Sequence, residues 1–128
     1  MKRALFETVK VLPYSSGGTI DRGGFLSARL GLLATGTGDL KITVRHCDED
    51  GGPFELVFDT KLFLGDTRVT RDADQKITDV YATITAEAGD EVQLDIDLLG
   101  CKQCVQIVVT GSATLALALG DPAFAPVV

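Results

Sequence analysis

Apolar and polar positions alternate along much of this chain, and the alternation has the period of a strand. In "LKITVRH", Leu40, Ile42, Val44 and His46 fall on one side and Lys41, Thr43 and Arg45 on the other. That pattern predicts a half-buried β-strand. "EVQLDIDLLG" repeats it, with Val92, Leu94, Ile96 and Leu98 opposite Gln93, Asp95 and Asp97. "CVQIVVTGSATLALAL" reads as two strands across a tight turn at Gly111 and Ser112, with Leu115, Leu117 and Leu119 sharing a face of the second. "ITDVYATITAEAG" is a further strand that ends at a turn around Gly89 and Asp90. "FLSARLGLLATG" fits two periods: Leu26, Leu30 and Leu33 would line a helix, and Leu26, Ala28, Leu30 and Leu32 a strand. Gly24 and Gly31 and the strand-rich surroundings favour the strand.

The remaining segments are shorter or more polar. "ALFETVKVLP" predicts a first strand that Pro13 ends, followed by a loop, "YSSGGTIDRGG". "TGTGDL" and the acidic "CDEDGGP" read as turns, and "FELVF" and "KLFLG" as short strands. "DTRVTRDADQK" reads as a loop, and Gly120, Asp121 and Pro122 should stop the last strand. The sum is about eight strands, at the spacing of an all-β sandwich or barrel, in a single domain over residues 1–128. An extended apolar tail follows from about residue 120 to 128.

Composition narrows the functional classes. A chain of 128 residues suits one domain with a sizeable core. It carries 12 basic and 18 acidic residues, a formal charge of -6. That balance argues against nucleic acid and against an anionic membrane surface as partners, since both need a basic face. No apolar run has the length of a signal peptide core or a membrane helix, so the expected site of synthesis is the cytoplasm. Three cysteines are too few for a disulfide scaffold, and thiols are the expected state.

The candidate chemistry is sparse. "CKQC" places Cys101 and Cys104 at the spacing of a redox dithiol or half a zinc site. It leads into a strand, where residues three apart point to opposite faces, so the sulfurs should diverge. The only further ligands, His46 and Cys47, are strand neighbours that face apart. A small zinc or thiol-redox protein is therefore a remote alternative. Asp48 and Asp50 have calcium-loop spacing, but the rest of that pattern is missing. Asp95 and Asp97 read as the wet side of a sheet rather than an acid–base pair. No residue set implies a cofactor, a metal site or a catalytic centre, and a binding or structural role is expected.

Two long segments carry a resemblance. "TIDRGGFLSARLGLLATGTGDLKITVRHCDEDGGPF" resembles a pattern of small tailed-phage and prophage virion proteins, in which "IDR-GF-SA" precedes "G-L-ITV-HSDD" and a short aromatic-bearing strand. "GCKQCVQIVVTGSATLALALGDPAFAPVV" resembles their ending, a "GCKRYVRVVVTG-AT" hairpin followed by a "LGDPRHAPV"-type tail. The match runs in order over most of the chain. Cys47 stands where serine is common, Cys104 where an aromatic is common, and Ala123 and Phe124 where arginine and histidine are often seen.

The resemblance implies a capsid decoration, or cement, protein: a two-sheet antiparallel sandwich of jelly-roll type with little or no helix, not an enzyme and without cofactor. Its implied partner is the major capsid protein on the outside of the head shell. Self-association as a dimer or trimer at a symmetry axis is also implied. A tail or head–tail component of the virion is the alternative. The proline-stiffened tail supplies the first contact candidates, Pro122, Phe124, Pro126, Val127 and Val128, with Phe124 as the aromatic anchor. Ile20, Arg22 and Phe25, in and after the glycine-rich loop, are the second.

Overall fold

The chain pairs with itself as one long hairpin, and the hairpin is wound into two layers. In the computed structural model, which describes residues 6–21, 25–48, 52–63 and 67–122, ten strands form and no helix does among those residues. They are β1 (Phe6–Tyr14), β2 (Thr19–Asp21), β3 (Ser27–Ala34), β4 (Gly38–Cys47) and β5 (Glu55–Leu56). The second half holds β6 (Arg68–Arg71), β7 (Ile77–Ala86), β8 (Glu91–Asp97), β9 (Cys104–Thr110) and β10 (Ala113–Pro122). Antiparallel partners nest from the middle outward: Ile42 opposite Ala82, Leu30 opposite Leu94, Ile20 opposite Val105 and Leu12 opposite Leu117.

One sheet has the order β1-β10-β3-β8 and the other β2-β9-β4-β7-β6, with β5 added beside β4. Eight of these strands make the two interleaved four-stranded sheets of a jelly roll. The expected all-β, two-sheet antiparallel sandwich is what forms. The other two strands, β5 and β6, belong to the long connection between β4 and β7.

Burial follows the alternation. On the inner face of the first sheet, Leu94, Leu30 and Leu117 lie in one row, and Ile96, Ala28 and Leu119 in the next. On the second sheet, Ile107 and Val44 form a row, and Val109, Ile42 and Ala82 another. Leu30, Ile42, Val44 and Leu117 are completely buried. The β3 segment is thus a strand, with its odd positions outward and Leu33 exposed.

Five local expectations are corrected. The "YSSGGTIDRGG" segment, expected as a loop, contains β2. Pro13 does not end β1, which runs to Tyr14. β1 is an edge strand paired only with β10, and an edge tolerates the missing proline N–H. Gly120, Asp121 and Pro122 do not stop β10 either: its last residue, Pro122, is opposite Phe6, beyond the point where β3 has ended. Among the described residues of "KLFLG", 61–63, Phe63 alone takes part in pairing, through a single bridge to Ile96. "DTRVTRDADQK" contains β6, whose residues are mostly exposed and so carry no apolar alternation. Its hairpin to β7 is closed by Asp72, whose carboxylate accepts from the Asp74 and Lys76 amides at 2.9 and 3.0 Å.

Tyr14 joins the two layers. Its hydroxyl donates to the Gly18 carbonyl at 2.6 Å and accepts from the Ile107 amide at 2.9 Å. Burial raises its pKa above 10.0, and the backbone contact with Ile107 opposes that shift.

Candidate contact surface

The two ends of the sandwich are built differently. At one end lie the tight connections at residues 15–18, 35–37, 87–90 and 111–112. Hydrogen bonds tie them together: the Ala34 amide to the Asp90 carbonyl at 2.9 Å, the Thr35 amide to the Ser112 carbonyl at 3.0 Å, and the Val109 amide to the Ser16 hydroxyl at 2.8 Å. At the other end β2 stops, β3 begins, β8 passes into β9, and the long β4–β7 connection starts. β10 also ends here, with Gly120 opposite Ser27 and Ser27 opposite Asp97.

Three of the four large apolar side chains that are exposed among the described residues lie at this open end: Leu26, Phe58 and Leu99, the last 67% accessible. Backbone contacts hold their segments together. The Leu98 amide donates to the Leu26 carbonyl at 2.9 Å, and the Asp97 amide to the Leu62 carbonyl at 2.8 Å. Asp59, next to Phe58, has its carboxylate against Gly100, next to Leu99.

Leu99 is presented on an ordered turn. Its amide donates to the Asp97 carboxylate at 2.9 Å, the Cys101 amide to the Leu98 carbonyl at 2.9 Å, and the Lys102 amide to His46 Nδ1 at 3.2 Å. An apolar side chain held this way loses little freedom on docking. Desolvation, then the nearby Lys102 charge, lowers the His46 pKa from 6.5, against the opposing pull of Glu55 and Asp48. The ring accepts at Nδ1 in its neutral form, so His46 serves as a prop for the turn.

The structure brings the sequence-derived contact residues to this end in different degrees. Phe25 is half-buried against the core, beside exposed Leu26. Ile20 is 6% exposed and packs inside the sandwich, so its side chain offers no contact surface. Pro122 is the last residue of β10 and carries the chain to the open end. Arg22, Phe124, Pro126, Val127 and Val128 lie outside the described residues.

Phe58 and Leu99 are absent from the sequence-derived set, although the alternation contains a signal for both. Leu98 keeps the inward phase of β8, so its neighbour Leu99 must point out, and Phe58 follows buried Val57 in the same way.

The chemistry-bearing residues are arranged as strands dictate. Cys101 belongs to the core cluster, and Cys104 is buried outside it. Among the described residues no group of three His, Cys, Asp or Glu side chains could hold a metal ion. No helix there is long and apolar enough to cross a membrane. On the outer face of the first sheet, Arg29 forks onto Asp95 at 2.7 and 3.2 Å. That hydrogen bond, then the Asp95 charge, raises the arginine pKa.

The fold is that of a jelly-roll sandwich. No family model, curated protein or solved structure matches the chain.

Proposed function

We propose that the chain is a non-enzymatic capsid decoration protein. It binds the outer surface of a tailed-phage head shell and ties neighbouring copies of the major capsid protein together. The observation that carries this reading is the open end of the jelly roll, where Leu26, Phe58 and Leu99 are exposed on hydrogen-bonded loops and β10 delivers the chain. Exposed apolar side chains gathered in one place mark an interaction surface. The ordered resemblance of residues 19–54 and 100–128 to small tailed-phage and prophage virion proteins supports the major capsid protein as the partner. The acidic charge of -6 suits a protein that sits on the outside of the shell, away from packaged nucleic acid.

The mechanism is additive. Each copy contributes a modest interface, and occupancy of many sites raises the free energy needed to open the shell. Copies associate around a symmetry axis of the lattice as a dimer or trimer. The protein is made in the host cytoplasm and ends on the virion surface.

The test is co-sedimentation with expanded, undecorated shells assembled from the major capsid protein of the same genome. The full chain should bind saturably. The double variant Phe58→Ser/Leu99→Ser should lose most of the binding while staying folded. Absence of binding by folded full-length protein removes the reading. Equal binding by the double variant removes the open end as the contact.

A further inference from the structure

The register of the second sheet brings two cysteines together that the sequence separates widely. Cys47, the last residue of β4, is the direct antiparallel partner of Cys104, the first residue of β9. Directly opposed residues have Cα atoms about 4.5–5.5 Å apart and side chains on the same face. A disulfide spans Cα distances of about 4.4–6.8 Å, so the backbone need not move to admit one.

The face they share is the outer one. On β4 the inward phase is Leu40, Ile42, Val44 and then His46, which puts Cys47 on the opposite side. On β9 the inward residues are Val105 and Ile107, which does the same for Cys104. Both thiols are nevertheless buried, at 4% and 5% exposure. Cys47 lines a surface cleft with Asp48, Gly52, Pro53, Glu55 and Lys102. Cys101, three residues before Cys104, packs in the core between the sheets.

We propose that Cys47 and Cys104 form an oxidation site that closes to an intramolecular disulfide and staples β4 to β9. The oxidant is a hydroperoxide that reaches Cys47 through the cleft. The Cys47 sulfur attacks the terminal peroxide oxygen: an S–O bond forms, the O–O bond breaks, and water or an alcohol leaves with the thiol proton. The Cys104 sulfur then attacks the Cys47 sulfur: an S–S bond forms, the S–O bond breaks, and the Cys104 proton leaves with the hydroxide as water. Two thiols lose two electrons in all, and one peroxide is reduced. The crosslink restricts the unfolded chain between the two residues and stabilises the oxidised form. The inference is independent of the capsid reading.

Trypsin cuts after Arg45, Lys61, Lys76 and Lys102, which places Cys47, Cys101 and Cys104 on three separate peptides. The full chain, reduced and then exposed to hydrogen peroxide, should lose about 2 Da while remaining a monomer on a non-reducing gel. The digest should yield residues 46–61 joined to the peptide that begins at Gln103. The thermal midpoint should rise by on the order of 10 °C and return on reduction. Cys101→Ser should behave like the unmodified chain. Cys104→Ser should show no such loss and instead gain oxygen on the Cys47 peptide. A disulfide that includes Cys101, linkage only between chains, or thiols that stay reduced in folded protein would each overturn the proposal.

Discussion

The tight end and the open end of the sandwich are made from the same strands, yet they answer to different physics. At the tight end the backbone is committed. Gly17, Gly89 and Gly111 take positive φ angles of 82°, 95° and 122°, and neighbouring turns hydrogen-bond to one another. At the open end the connections are longer and apolar side chains face solvent. The contrast teaches that sequence change should be read by location: at the tight end it acts on stability, and for the exposed apolar side chains of the open end the proposed function puts the effect on binding.

The largest expected effect is at Gly111. A methyl group there would sit 2.5 Å from Leu40 Cδ2 and 3.0 Å from the Asp39 carbonyl oxygen, on a backbone that side chains rarely adopt. Gly111→Ala should cost about 2–4 kcal/mol in urea unfolding. An unchanged midpoint would mean that the tight end is not the rigid one.

Tyr14→Phe comes next. It leaves the Ile107 amide and the Gly18 carbonyl without the phenol, and should cost about 1–2 kcal/mol in the same assay.

His46, at the open end, gives a smaller and pH-dependent effect. Its folded pKa is below 6.5, so the unfolded chain takes up a proton first as the pH falls. Its contribution is complete above the unfolded value and is lost as the pH drops through the folded one. Stability should therefore decline below about pH 6.5, and His46→Gln should flatten that part of the profile. An unaltered profile in the variant would show that His46 is not the group responsible.

The smallest stability change belongs to Phe58→Ser with Leu99→Ser. Both side chains are already exposed, and the midpoint should move by about 0.5 kcal/mol or less. A large loss would mean that these side chains support the fold, and the functional contrast between the ends would go.

How much of this was legible before the structure depends on how local the signal is. The strands around Leu30, Ile42, Leu94 and Leu117 announce themselves because each buries one face, and a period of two is local information. The turns at Gly89 and Gly111 are local too. β2 has only three residues inside a glycine-rich loop, and β6 lies exposed at an edge, so neither has an alternation to read. Pro13 and Pro122 mislead because proline is read as a stop, whereas an edge strand and a strand end can each hold one. The pairing of Cys47 with Cys104 is invisible for a different reason. It depends on the register between strands far apart in sequence, which the packing of Val44 against Ile107 fixes and no window of residues contains. Leu99 is intermediate, since the doubled leucine at 98 and 99 breaks the alternation and marks an outward side chain.

The nested pairing also has a consequence for synthesis. β4 can meet β7 while the chain is still short, but β3 waits for both β8 and β10, and β1 waits for β10 alone. On a ribosome the first sheet must stay unfinished, with the edges of β1 and β3 bare, until residue 122 has cleared the exit tunnel. Non-local closure of this kind is slow and leaves unpaired strands exposed while it lasts. A nascent chain halted before β10 should remain open to protease, and release of those last ten strand residues should protect the whole sandwich in a single step.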